Sequence, residues 1–201
     1  MYRRDIPGLR RILLIGDSIS RGITFEMWKK YGKLANIHEA PQNCEGFLLY
    51  TAENVAKWLG TCKWDLIQFQ VGAHVHKEEG LRSYGQDLRN VVKQLKRIAP
   101  SASIVFAATT PSPFDSNGTR PNRSSCKDYD KFHPGGYVPK LNTIARQVMA
   151  ELNVTFNDRY HVIISELKRY QRPCDIHFQT RGYEKIADKD WTIFSNILKI
   201  A

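Results

Sequence analysis

Long apolar runs are missing from this chain of 201 residues. Its first apolar run, Ile12–Ile15, is far short of the ~20 residues that cross a bilayer. It is also too short for the core of a signal peptide. The expectation is a protein without a membrane span, either cytoplasmic or a mature form with its leader removed. Cysteine is sparse. Cys44, Cys62, Cys126 and Cys174 show neither paired metal-ligand spacing nor a disulfide framework, so they read mostly as free thiols. Gly16 opens no Gly-x-Gly-x-x-Gly pattern, and there is no Lys-Ser/Thr phosphate loop, which argues against the common nucleotide folds. Acidic residues are outnumbered, 20 against 30 Lys and Arg, for a net charge of +10. That surplus would suit a polyanion. However, Lys29, Lys30, Lys93, Lys96, Arg97, Lys168 and Arg169 are scattered over different predicted helices. No recognition helix, RNA-binding aromatic signature or polybasic tail accompanies them, so nucleic acid is not the expected partner. His74 and His76 alternate as a strand pair would, yet no third ligand is spaced near them. No metal or cofactor is expected.

What is present reads as one soluble α/β domain spanning 1–201, with 42% hydrophobic and 25% charged residues. Strand-like runs fall at Arg11–Ile15, Ala35–His38, Leu66–Val71, Ser103–Ala108 and Val154–Phe156. Helix-like runs begin near Ser20, Thr51, Leu81 and Val138. Leu81, Tyr84, Leu88, Val91, Val92, Leu95 and Ile98 recur at helical spacing before Pro100, and Val138, Leu141, Ile144, Ala145, Val148 and Met149 do the same. A last helix is expected over Tyr183–Leu198, with Ile186, Ala187, Trp191, Phe194 and Leu198 facing inward. This alternation predicts a parallel sheet covered on both faces. Residues 111–136 break the pattern. They are rich in Pro, Gly, Ser and Asn, and are expected to form a loop that overhangs the strand ends.

The chemistry-bearing signal lies where the first strand stops. In Gly16-Asp17-Ser18-Ile19-Ser20-Arg21-Gly22, Ser18 falls in the turn into a helix. Helix N-termini favour negative charge, and the carboxyl ends of strands in open α/β sheets bind ligands. Ser18 is therefore a candidate nucleophile. A base is offered by His177, just before the last helix, with Asp175 two residues upstream. In a strictly extended chain, residues two apart point the same way, whereas a turn changes this. Asp175 either orients His177 or leaves that role to a backbone carbonyl.

With Gly16–Gly22, the later blocks Pro41–Gly46, Phe69–Val75, Thr109–Pro113 and Cys174–Thr180 follow in order. On these blocks the chain resembles the SGNH (GDSL-type) hydrolases, in the bacterial-type esterase branch. The resemblance implies a flavodoxin-like three-layer α/β/α sandwich with a five-stranded parallel sheet. It also implies ester hydrolysis through an acyl-serine, with Ser18 as nucleophile, His177 as base and Asp175 as acid. Oxyanion and substrate-binding positions then fall on Gly46, His74, Asn43 and Asp17. The substrate class it implies is a small acyl group such as acetyl, carried on a carbohydrate or similar polar molecule. The chain departs from the branch at Glu45, Gln70 and Val75, and has Cys174 where most of the family has the acid. An impaired member that binds a carbohydrate or polyanion is the alternative expectation.

Overall fold

The apolar run Arg11–Ile15 forms strand β1, buried on both sides as a central parallel strand must be. Ile12 and Leu14 face one layer of helices, and Leu13 and Ile15 face the other. The computed structural model describes residues 4–40, 52–73, 75, 78–112 and 137–200. Beside β1 lie β2 (Asn36–Glu39), β3 (Leu66–Phe69), β4 (Ser103–Ala107) and β5 (Thr155–Asn157). All pair in parallel, in the order β2-β1-β3-β4-β5. This is the flavodoxin-like strand order, whose chain reverses direction across the sheet between β1 and β3.

Helices α1 (Ser18–Tyr31), α2 (Ala52–Leu59), α3 (Glu78–Ile98), α4 (Tyr137–Glu151), α5 (Arg159–Ile164), α6 (Leu167–Tyr170) and α7 (Thr180–Leu198) cover the two faces. On one side, Val55 and Trp58 of α2 join Tyr84, Leu88 and Leu95 of α3 and Leu141 and Met149 of α4 against Ile67, Phe69 and Phe106. On the other, Ile19, Ile23 and Met27 of α1 and Ile186, Ala187 and Phe194 of α7 pack against Ile12, Leu14 and Val105. Trp191 of α7 does not reach the core centre. It stacks on Tyr31 of α1 with ring centroids 4.4 Å apart and planes 6° from parallel.

The expected strands are present, with ends shifted by up to two residues. Helix α7 begins at Thr180 rather than Tyr183, because the amides of Gly182 and Tyr183 both donate to Gln179 O. Helices α5 and α6 have no counterpart in the periodicity of the sequence; each is too short to show an apolar stripe. The first opens at an Asp158 cap that accepts from the His161 amide at 3.2 Å. No described helix is long and apolar enough to cross a membrane. Of the 111–136 segment, only Pro111 and Ser112 lie among the described residues.

Candidate active site

Asp17 decides where α1 starts. Its backbone is extended, and its carboxylate accepts from the Ile19 amide at 2.9 Å, an N-cap. The helix therefore begins at Ser18, two residues earlier than the apolar pattern indicates. Ser18 is half-buried and occupies the first turn, where backbone amides have no helical acceptor. It stands at the carboxyl end of β1, beside the β1–β3 switch point where such folds bind ligands. A tight approach makes this turn fit. A Cβ on Gly16 would lie 2.1 Å from Ser20 Oγ, so only glycine lets the first turn of α1 fold back over the strand end. Ser20 Oγ in turn donates to Gln70 Oε1 at 3.3 Å, tying the first turn of α1 to the segment that follows β3.

The partner of Ser18 comes from 159 residues away. Residues 171–178 form a small hairpin closed by an antiparallel bridge between Gln171 and Phe178. Arg172 N donates to His177 O at 3.0 Å, and Gln179 N to Tyr170 O at 2.8 Å. The hairpin aims His177 at α1, and His177 Nε2 lies 2.8 Å from Ser18 Oγ. His177 Nδ1 lies 2.7 Å from Asp175 Oδ1, and the same oxygen accepts from the His177 amide at 3.2 Å. The second contact is an Asx turn, a carboxylate accepting from the amide two residues on. It explains how an acid only two positions before a histidine reaches the ring. An ionised carboxylate only accepts, so the proton sits on Nδ1 and the Nε2 lone pair faces the serine hydroxyl. The imidazole is about one-third exposed and Asp175 less so, which leaves the ring reachable from solvent.

Of the expected site residues, Ser18, His177 and Asp175 are brought together. Asp17 adjoins them in sequence but is only 2% exposed, with its carboxylate turned to the helix amide. Its expected substrate contact is corrected to a cap, since a buried acceptor can neither donate to an oxyanion nor meet a substrate. Asn43, Gly46 and His74 lie outside the described residues. The free-thiol reading of the cysteines holds for Cys62 but not for Cys174, which is disulfide-bonded. Cys44 and Cys126 lie outside the described residues. Among the described residues, no group of three or more His, Cys, Asp or Glu is arranged to hold a metal ion.

Two neighbours escaped the sequence reading. Gln171 Nε2 donates to Pro111 O at 2.7 Å, fastening the start of the long post-β4 segment to the histidine hairpin. Tyr183 packs its ring edge-on to Phe178 at 5.6 Å. Burial pushes its phenol up, and the Asp175 and Asp17 charges nearby add to the shift, so it stays a neutral group beside the site. A glutamine and a tyrosine carry no motif, so neither was visible in the sequence.

No family model matches the sequence, and no curated protein is significantly similar to it. Solved structures do match. A GDSL-like lipase from Bacteroides thetaiotaomicron superposes with a TM-score of 0.64 at 12% identity, covering 98% of this chain and 92% of that one. The fold is that of the GDSL-type hydrolases. A lipase/acylhydrolase from Enterococcus faecalis matches with a TM-score of 0.64 at 16% identity, over 96% of this chain and 98% of its own. A family 3 carbohydrate esterase from Clostridium thermocellum matches at 0.65 and 15% identity, over 94% and 97%. At such identities the shared property is the GDSL-type fold.

Proposed function

We propose that this protein is a serine ester hydrolase of the SGNH type, acting through an acyl-serine intermediate. The observation that carries the reading is the Ser18 Oγ to His177 Nε2 contact of 2.8 Å, with the ring held from behind by Asp175. Nucleophile, base and orienting acid form a connected chain at the ligand-binding edge of the sheet. His177 takes the Ser18 proton as Oγ attacks the ester carbonyl. Asp175 stabilises the imidazolium that forms. Collapse of the tetrahedral species expels the alcohol, which receives the proton from His177 Nε2. Water then enters on the same path, with His177 again as base, and releases the acid. The Ser18 amide is one oxyanion donor, and Gly46, His74 and Asn43 are the assigned others. The substrate class is a small acyl group, acetyl first, on a carbohydrate or similar polar carrier. That a carbohydrate esterase shares the fold supports this choice.

The test is hydrolysis of p-nitrophenyl acetate by wild type and Ser18→Ala. Turnover should vanish in Ser18→Ala with the thermal unfolding curve unchanged. Turnover near wild type in that variant would contradict the assignment and favour a binding protein that kept the fold.

A further inference from the structure

Cys174 combines two features next to the acid. It is disulfide-bonded, and its backbone is left-handed, with φ of 54°. For a residue with a Cβ that conformation is disfavoured and persists only where the surroundings impose it. Here the consequence is local. The left-handed turn at Cys174 lets the Asp175 amide donate back to Arg172 O at 3.2 Å. It also turns the Asp175 side chain toward the ring and amide of His177.

We propose that the Cys174 disulfide positions Asp175 against His177, so that turnover depends on this S–S bond remaining oxidised. The inference rests on the hydrolase reading above. Cys174 touches no reacting atom; it is a positioning residue acting through Asp175. A dithiol reductant reverses the constraint. Its thiolate attacks the disulfide, the S–S bond breaks, two protein thiols form, and the reductant leaves as its cyclic disulfide. The freed backbone relaxes toward right-handed or extended conformations, and Asp175 loses its place. Small misplacements of catalytic groups cost up to ~100-fold. The enzyme would thus be fully active in an oxidising compartment and suppressed in a reducing one.

The experiment reads kcat and KM on p-nitrophenyl acetate before and after treatment with dithiothreitol, removed under nitrogen before assay. It is run on wild type, Asp175→Asn and Cys62→Ser. Wild type and Cys62→Ser should each lose roughly tenfold or more in kcat with KM nearly constant, and regain it on reoxidation. Asp175→Asn should barely respond, because the group being positioned is already disabled. A disulfide that only stabilises the fold would lower the melting temperature and leave kcat of the folded enzyme unchanged. That result, or an equal proportional loss in Asp175→Asn, overturns the proposal. Should reduction unfold the protein, Cys174→Gly and Cys174→Ala decide. Glycine accepts the left-handed backbone freely and alanine does not, so kcat should fall in the order wild type, Gly, Ala. Wild-type kcat in both overturns the proposal. Absence of Ser18-dependent turnover in the oxidised wild type would instead remove the hydrolase reading, and this inference with it.

Discussion

Two aspartates of this molecule sit on the same side of the sheet and meet opposite fates. Asp190 of α7 has no exposed surface. It accepts from Gln68 Nε2 at 2.9 Å, Asn157 Nδ2 at 2.6 Å and Arg159 Nε at 3.0 Å, and forms a second contact with Arg159 Nη2. Arg159 is itself only 1% exposed. Asp175, on the histidine hairpin, keeps a partly exposed side chain and engages the ring and amide of His177. The difference lies in the partner. A guanidinium never releases its proton, so Asp190 faces a permanent positive charge. An imidazole exchanges its proton, and the one held by Asp175 has a serine hydroxyl on its other nitrogen. Burial and a permanent partner make a carboxylate structural; partial exposure and a titratable partner make one available for chemistry.

The sharpest way to break the comparison is to neutralise each carboxylate in turn. Asp175→Asn should cut kcat by roughly 10⁴-fold, as the corresponding change does in serine proteases, because the wrong imidazole tautomer is favoured. At 1.36 kcal/mol per tenfold that is about 5 kcal/mol of transition-state stabilisation. Stability by urea denaturation should scarcely move. A silent Asp175→Asn would mean that a backbone carbonyl orients His177. Asp190→Asn should do the reverse. It leaves the Arg159 cation buried without its counter-charge, a loss of about 3–5 kcal/mol in unfolding free energy. The kcat of the molecules that remain folded should stay near wild type. A kcat collapse at unchanged stability would place Asp190 with the chemistry after all.

The smallest effect concerns a third aspartate. Burial alone would raise the Asp158 carboxyl, but the His161 amide and ring, with Arg146, hold it below its ordinary value. A depressed carboxyl contributes stability above its unfolded pKa and loses it as pH falls through the lower, folded value. Asp158→Ala should therefore cost ~1 kcal/mol near neutral pH, the usual worth of a helix cap. The gap to wild type should close below about pH 4 in urea titrations across pH. A gap that is constant with pH would assign the loss to packing rather than charge.

The comparison also explains what the sequence revealed. Ser18, His177 and Asp175 were legible because each lies at a boundary that the chain itself punctuates: a strand stopped by Gly16, and a helix opened after Phe178. The sheet was legible for the same reason, since β1, β3 and β4 are short apolar runs separated by helical periodicity. The Asp190 network was not. Gln68 and Asp190 are 122 residues apart, and an aspartate between Lys189 and Trp191 reads as one more surface charge until α7 is laid on the sheet. Arg159 reads the same way at the mouth of a helix too short to show a stripe. The side-chain direction of Asp175 depended on an Asx turn and a left-handed Cys174, and neither spacing nor composition encodes a disulfide between distant thiols.

Ester hydrolysis by this protein requires that Ser18 be a nucleophile activated by His177. The direct measurement is reaction with a fluorophosphonate, followed by peptide mass mapping. A single covalent adduct is expected on the peptide bearing Ser18, absent from Ser18→Ala and strongly slowed in His177→Ala. An unlabelled protein, or an adduct formed equally well without His177, would contradict it.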